Sequence, residues 1–205
     1  MRNIFIALSA FCMMLTACRQ DQDVVSTMNM YAAQQDWDEL ASVARRSYTS
    51  NIYAANYYHL AQAYRGRLCE DLFKTIQNGP QGIIFLPADR NSVSPCLAHV
   101  LFAMGNMAAA QSVAFNAMFT PDGYDYAMMK IVAQVELMRG CDAVAEKYLA
   151  LLKKQKEYKS WAENAYADPN IERGRRDFPS EEAFVLESPM EDMLRVLDSK
   201  PSDSL

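Results

Sequence analysis

The sequence predicts an all-α fold, and three observations carry that expectation. Glycine and proline are scarce, at 7 and 8 of 205 residues. Alanine, leucine, methionine, glutamine and glutamate recur throughout, and these residues lose little on entering a helix. Valine and isoleucine are thin and scattered, with no alternating run of β-branched residues that would mark a strand. Hydrophobic residues make up 51% of the chain, enough to bury one core of ordinary size or a short array of repeats.

The chain begins Met1-Arg2-Asn3, a short positive segment, and Ile4 to Leu15 follow without a charge. Twelve residues are too few for a membrane-spanning helix and fit the apolar region of a secretory signal. Leu15-Thr16-Ala17-Cys18 then resembles a bacterial lipobox. The small residues suit a signal peptidase, and the thiol of Cys18 is the group that takes the lipid. Several acyl chains on one terminus make a stable anchor, where one would be marginal. Residues 1–17 are therefore expected to be a signal peptide, and 18–23 a lipidated cysteine with a polar tether, Arg19-Gln20-Asp21-Gln22-Asp23. The acidic residues of that tether resemble signals that send some lipoproteins to the cell surface.

Helices are expected at 24–35, 37–48, 52–65, 68–77, 94–104, 107–118, 121–139, 142–154 and 157–167. Asp36-Trp37 marks the first turn. Ser94-Pro95 and Thr120-Pro121 each offer an N-cap with proline at the first helical position. Asn78-Gly79-Pro80-Gln81-Gly82 is a strong turn signal. Residues 168–187 read as irregular, with Asp168-Pro169 and Phe178-Pro179 as breakers. Ser188-Pro189-Met190-Glu191 starts a last helix over 189–199, before a short tail. The helical domain is thus 24–167, followed by a terminal segment, 168–205.

An internal period runs through the domain. Ala98, Gly105, Met107 and Ala110 each lie 35 residues before Ala133, Gly140, Asp142 and Ala145. In both sets small residues stand where two helices must approach closely. This spacing resembles the tetratricopeptide repeat, whose period is 34. The signature tryptophan is missing, and Glu136 stands in an aromatic position. Leu60-Ala61, Tyr64 and Gly66 give a looser upstream copy. The resemblance implies a tetratricopeptide-like α-solenoid of antiparallel helix pairs, with the first helix of each pair lining a concave face.

A second resemblance spans about Asn51 to Trp161. It includes Tyr57-Tyr58, Leu60-Ala61, Phe73, Gln77-Asn78-Gly79, Gly82, Gly105, Ala110, Ala114, Tyr148-Leu149, Leu152, Tyr158 and Trp161-Ala162. On these residues the chain resembles a family of uncharacterised bacterial proteins, a domain of unknown function. The family implies no catalytic residues, cofactor or ligand.

The residues themselves argue against several chemistries. Beyond residue 17 the chain holds 19 basic and 25 acidic residues, an unfavourable balance for nucleic acid, which needs clustered cations. The run from Lys153 to Lys159, leading to Arg173, Arg175 and Arg176, reads as a solvated surface suited to helix ends. His59 and His99 are the only histidines, and no Cys-x-x-Cys or His-x-x-x-His occurs, so no metal site is expected. Gly79-Pro80-Gln81-Gly82 lacks the lysine and hydroxyl of a phosphate-binding loop. Cys96 and His99 share a helix face at spacing three and could form an activated thiol, but no oxyanion-stabilising motif accompanies them. Cys69, Cys96 and Cys141 can form at most one disulfide, and they read as buried small hydrophobes.

The sequence therefore points to a non-enzymatic lipoprotein without a cofactor, anchored by its lipid to a bacterial envelope membrane, with the outer membrane favoured. Its expected role is a scaffold for a protein partner. Transferring the repeat's groove positions selects Tyr58, Gln62 and Arg65 in one repeat, His99 and Phe102 in the next, and Lys130 and Gln134 in the last. Tyr53, Tyr57, Tyr58 and Tyr64 raise the alternative of carbohydrate or small-ligand capture.

Overall fold

A computed structural model of the chain describes residues 24–48, 51–75, 79–84, 94–121 and 123–177. The expected signal peptide, Cys18 and its tether, the helix at 189–199 and the tail lie outside the described residues. Within them the protein is almost wholly helical, and it divides into two compact units, Met1–Phe85 and Leu86–Leu205.

Four local connections share one backbone design. The first helix, α1, covers 24–34. It ends at Gln35, which takes the left-handed conformation at φ 61°. The Gln35 N–H donates to Ala32 O (3.1 Å) and the Asp36 N–H to Tyr31 O (3.0 Å). This paired closure satisfies carbonyls that the helix end would leave orphaned. The same pair of bonds recurs at Gly66 (φ 70°), Gly105 (φ 80°) and Gly140 (φ 75°), with Arg67 bonded to Gln62 O, Asn106 to Leu101 O and Cys141 to Glu136 O. After each turn a helix restarts. Asp36 caps α2 (Trp37–Arg46) through Glu39 N, and Asn106 caps α6 (Met107–Ala117) through Ala109 N.

In the first unit α2 packs on α3 (Ile52–Tyr64), which runs into the short α4 (Leu68–Asp71). The expected helix over 68–77 stops early. A 3-10 turn, Leu72–Lys74, follows α4, and the Thr75 hydroxyl donates to Leu72 O (2.9 Å), a local bond that competes with helix continuation. Residues Ala54 to Gln62 of α3 are all buried, so this helix is the centre of the unit.

In the second unit α5 (Pro95–Ala103) packs on α6, and α7 (Tyr126–Met138) packs on α6, α5 and α8 (Asp142–Leu152). Then come α9 (Lys156–Glu163), a 3-10 turn at Ala165–Ala167 and α10 (Pro169–Asp177), which returns to α7. Every residue of α7 from Ala127 to Met138 is buried.

Two boundaries differ from expectation here. The helix predicted from Pro121 begins only at Tyr126, because a small hairpin intervenes: β1 (Phe119–Thr120) pairs antiparallel with β2 (Gly123–Tyr124). Gly123 at φ 136° interrupts any helix, and Asp125 supplies the cap, accepting from Ala127 N (2.9 Å) and Met128 N (3.2 Å). The second difference is α10, which occupies part of a segment expected to be irregular. Asp168 accepts from Asn170 N (2.9 Å) with proline at the first helical position, so the apparent breaker is a helix start. Gly174 lets α10 approach closely, since a Cβ there would fall 2.5 Å from Met138 Cγ.

Sulfur is distributed unevenly. Met28, Met107, Met118, Met128, Met129 and Met138 are buried, whereas Met104 is 64% exposed. Of the cysteines expected to be buried, Cys96 is buried, Cys141 half-buried and Cys69 exposed.

Candidate functional site

The residues selected for the groove fall on the central helices, and most lie in the core. In the first unit Tyr58, Gln62 and Arg65 occupy one face of α3 by their spacing of four and three. They form a chain: Arg65 donates to Gln62 Oε1 (2.8 Å), and Gln62 Nε2 donates to the Tyr58 hydroxyl (3.0 Å) and to Asp71 Oδ2 (2.5 Å). Tyr58 and Gln62 are buried. Arg65 reaches outward to Asp38 (2.9 Å).

Asp71 collects further cations, Lys74 at 3.1 Å and Arg67 at 3.3 Å. The hydrogen bond from Lys74, with help from the charges of Arg67, Lys74 and Arg45, holds its carboxyl below the usual range against the opposing effect of burial. Sequence reasoning missed Asp71. Its signal was the i, i+3 and i, i+4 spacing to Lys74 and from Arg67.

The same helix pins the Gly79–Gly82 turn. His59 donates from Nδ1 to Gly82 O (2.7 Å), its Nε2 lies 3.2 Å from the Tyr48 hydroxyl, which itself donates to the Thr75 hydroxyl (3.1 Å), and Asn56 donates to Gln81 O (2.7 Å). Of the tyrosines considered for a glycan, Tyr57 and Tyr58 are buried, and Tyr64 stacks on Trp37 with ring centroids 3.9 Å apart.

In the second unit His99, Lys130 and Gln134 are buried, while Phe102 is half-buried. Lys130 lies over the Trp161 indole, its Nζ 4.7 Å from the ring centroid, a cation–π contact in a dry setting. The Trp161 N–H donates to Asp168 Oδ2 (2.9 Å). Burial pulls the Lys130 amine down to about 8, opposed by the Asp168 carboxylate. Burial, reinforced by the Lys130 charge, pulls His99 down to about 3, so its imidazole is neutral across the physiological range. The structure thus brings His99 and Lys130 into one electrostatic neighbourhood. It adds Trp161 and Asp168, which the repeat register did not select. Asp168-Pro169 carries the same cap-plus-proline signal as Ser94-Pro95, and that signal marks the position.

Lower on α7, Glu136 accepts from Gln111 Nε2 (2.5 Å), and the Arg139 guanidinium reaches Gln111 Oε1 (3.5 Å). Each central helix therefore carries polar side chains into the core: Asn56, His59 and Gln62 in one unit, and Lys130, Gln134 and Glu136 in the other.

The Cys96–His99 pair has the opposite of an activated character. Burial raises the thiol well above the ordinary range and keeps the imidazole uncharged. Among the described residues no three His, Cys, Asp or Glu side chains come together as a metal site, and no helix is long and apolar enough to cross a membrane.

No curated protein and no solved structure matches this chain. A family profile does, over residues 2–205, nearly the whole length. The chain is therefore a member of that group, the family of unknown function DUF6057.

Proposed function

We propose that this chain is a lipoprotein of the bacterial cell envelope, anchored through Cys18, most suitably to the outer membrane, whose helix pairs form a tetratricopeptide-like solenoid that scaffolds a protein partner. The observation that carries the reading is the helix closure repeated at Gln35, Gly66, Gly105 and Gly140, each with the same two backbone bonds. Each unit uses this helix-turn-helix connection twice, as repeat proteins do, and stacked helix pairs present extended binding faces. The sequence Leu15-Thr16-Ala17-Cys18 supports the anchor. Arg65 and Phe102 are the groove positions that reach the surface, so recognition is assigned to them rather than to the buried Tyr58, Gln62, His99, Lys130 and Gln134.

Two measurements on the full chain, made in a bacterium, test this. Metabolic labelling with an alkyne fatty acid is expected to mark the wild type and to be lost in Cys18→Ser; equal labelling of both sinks the anchor. A photo-crosslinking amino acid at Arg65 or at Phe102 is expected to yield a discrete protein adduct, absent when it is placed at Lys154. Adducts that do not depend on position would refute the scaffold.

A further inference from the structure

The outer face of α6 and the hairpin after it carry a cluster of three exposed aromatic rings. Phe115 (44% exposed), Phe119 (55%) and Tyr124 (49%) stand in mutual contact. The centroids of Phe115 and Phe119 are 5.4 Å apart and those of Phe119 and Tyr124 5.8 Å. The hairpin register sets Phe119 directly opposite Tyr124, so the pairing itself displays both rings.

The surroundings are equally unusual. From Asn91 to Pro121 there is no Asp, Glu, Lys or Arg, although such residues make up 22% of the chain. The other outward positions of α6 are Ala108, Ser112 and Asn116. A solvated helix ordinarily carries charges on this face.

We propose that this aromatic hairpin is a membrane contact, resting on the interfacial layer of a lipid bilayer with its rings among headgroups and upper acyl chains. The proposal rests on the lipid-anchor reading, which holds the chain beside a bilayer. Three properties select this occupant. Half-exposed aromatic rings suit the interface, where such side chains concentrate. Together the three rings offer on the order of 300 Å², well below the roughly 800 Å² per partner that a stable dimer buries. No Lys or Arg lies between Asn91 and Met129, and the only charged residues of that stretch are Asp122 and Asp125, which sets a signature: the contact gains nothing from anionic lipid or from low salt, unlike a polybasic one.

The test uses the full lipidated chain in vesicles carrying Phe119→Trp, a replacement that keeps an aromatic ring in the hairpin. Lipids brominated in the upper acyl chain quench indoles that lie among them. Quenching of the indole at position 119 is expected to exceed that of the parent chain, which has only Trp37 and Trp161, by about twofold. It should be no stronger in anionic than in neutral vesicles, and high salt should not reduce it. Parent-like emission from vesicle-bound protein would overturn the proposal. So would a signal that follows protein density instead of brominated lipid, which would assign the surface to a second copy. A parallel Cys18→Ser chain separates the two readings. If its vesicle recovery equals that of the lipidated protein, the anchor reading fails. The hairpin proposal still stands or falls on whether the position-119 signal is quenched in the bound fraction, and on whether Phe115→Ser with Tyr124→Ser abolishes that quenching while helical circular dichroism is retained.

Discussion

At the scale of single residues, the consequences turn on charge in the core. Lys130 titrates near 8 in the folded chain and near 10.5 when unfolded. Below 8 both states hold the proton, and the fold bears the full cost of a buried ammonium. Between 8 and 10.5 the unfolded state holds more protons, so stability rises with pH, by at most about 1.4 kcal/mol per unit. Chemical denaturation of wild type should show this rise from pH 8 to pH 10, and Lys130→Met should lack it. His99 titrates near 3 when folded and near 6.5 when unfolded. The unfolded state takes up its proton as pH drops through 6.5, so stability falls on acidification between those values, and His99→Gln should flatten that slope. Asp71 behaves as a carboxylate held low by Lys74 and its neighbours. Its stabilisation is complete above the unfolded carboxyl value and is lost as pH falls through the folded one. The deficit of Asp71→Asn relative to wild type, measured by urea unfolding, should therefore shrink as pH drops below about 4.

At the scale of elements, the repeated closure carries the most information. Gly66 and Gly140 have nothing within 4 Å of where a Cβ would stand, so only their positive φ restricts them. Gly140→Ala should cost about 1 kcal/mol from backbone strain alone. Gln35 holds the equivalent conformation without being glycine. Gln35→Gly should stabilise the first unit by about 0.5–1 kcal/mol, the relief of left-handed strain less the extra freedom of glycine in the unfolded chain. Thermal unfolding of both variants checks the signs. The glycine turns were legible in the sequence because a left-handed residue at a helix end leaves a compositional mark. The Gln35 turn was legible only through the Asp36 cap beside it. The start of α10 was hidden because Pro169 signals both a break and a beginning, and its polar sequence shows little apolar periodicity. The hairpin before α7 was hidden because two-residue strands have no period to read. The groove register selected Tyr58, Gln62, His99, Lys130 and Gln134, which lie on the central helices, but it could not show that α3 and α7 are enclosed, since that depends on elements distant in sequence such as α10.

At the scale of the whole molecule, each unit is organised round one enclosed helix whose polar side chains are used for internal bonds. Six of the eight described methionines are buried, Met30 is half-buried and Met104 is exposed. Met104, at the turn between α5 and α6, presents its thioether to solvent. Among the described methionines it is the most open to an oxidant in solution. Conversion to the sulfoxide there adds a polar oxygen to a position with no packing to lose, whereas the same change at Met128 or Met129 would force that oxygen into the core. Peptide mapping after mild peroxide treatment should find oxygen on Met104 with helical structure intact, and on Met128 and Met129 only once the fold has opened. Oxidation at this turn is therefore a change that the folded protein can carry and that sulfoxide reduction can reverse.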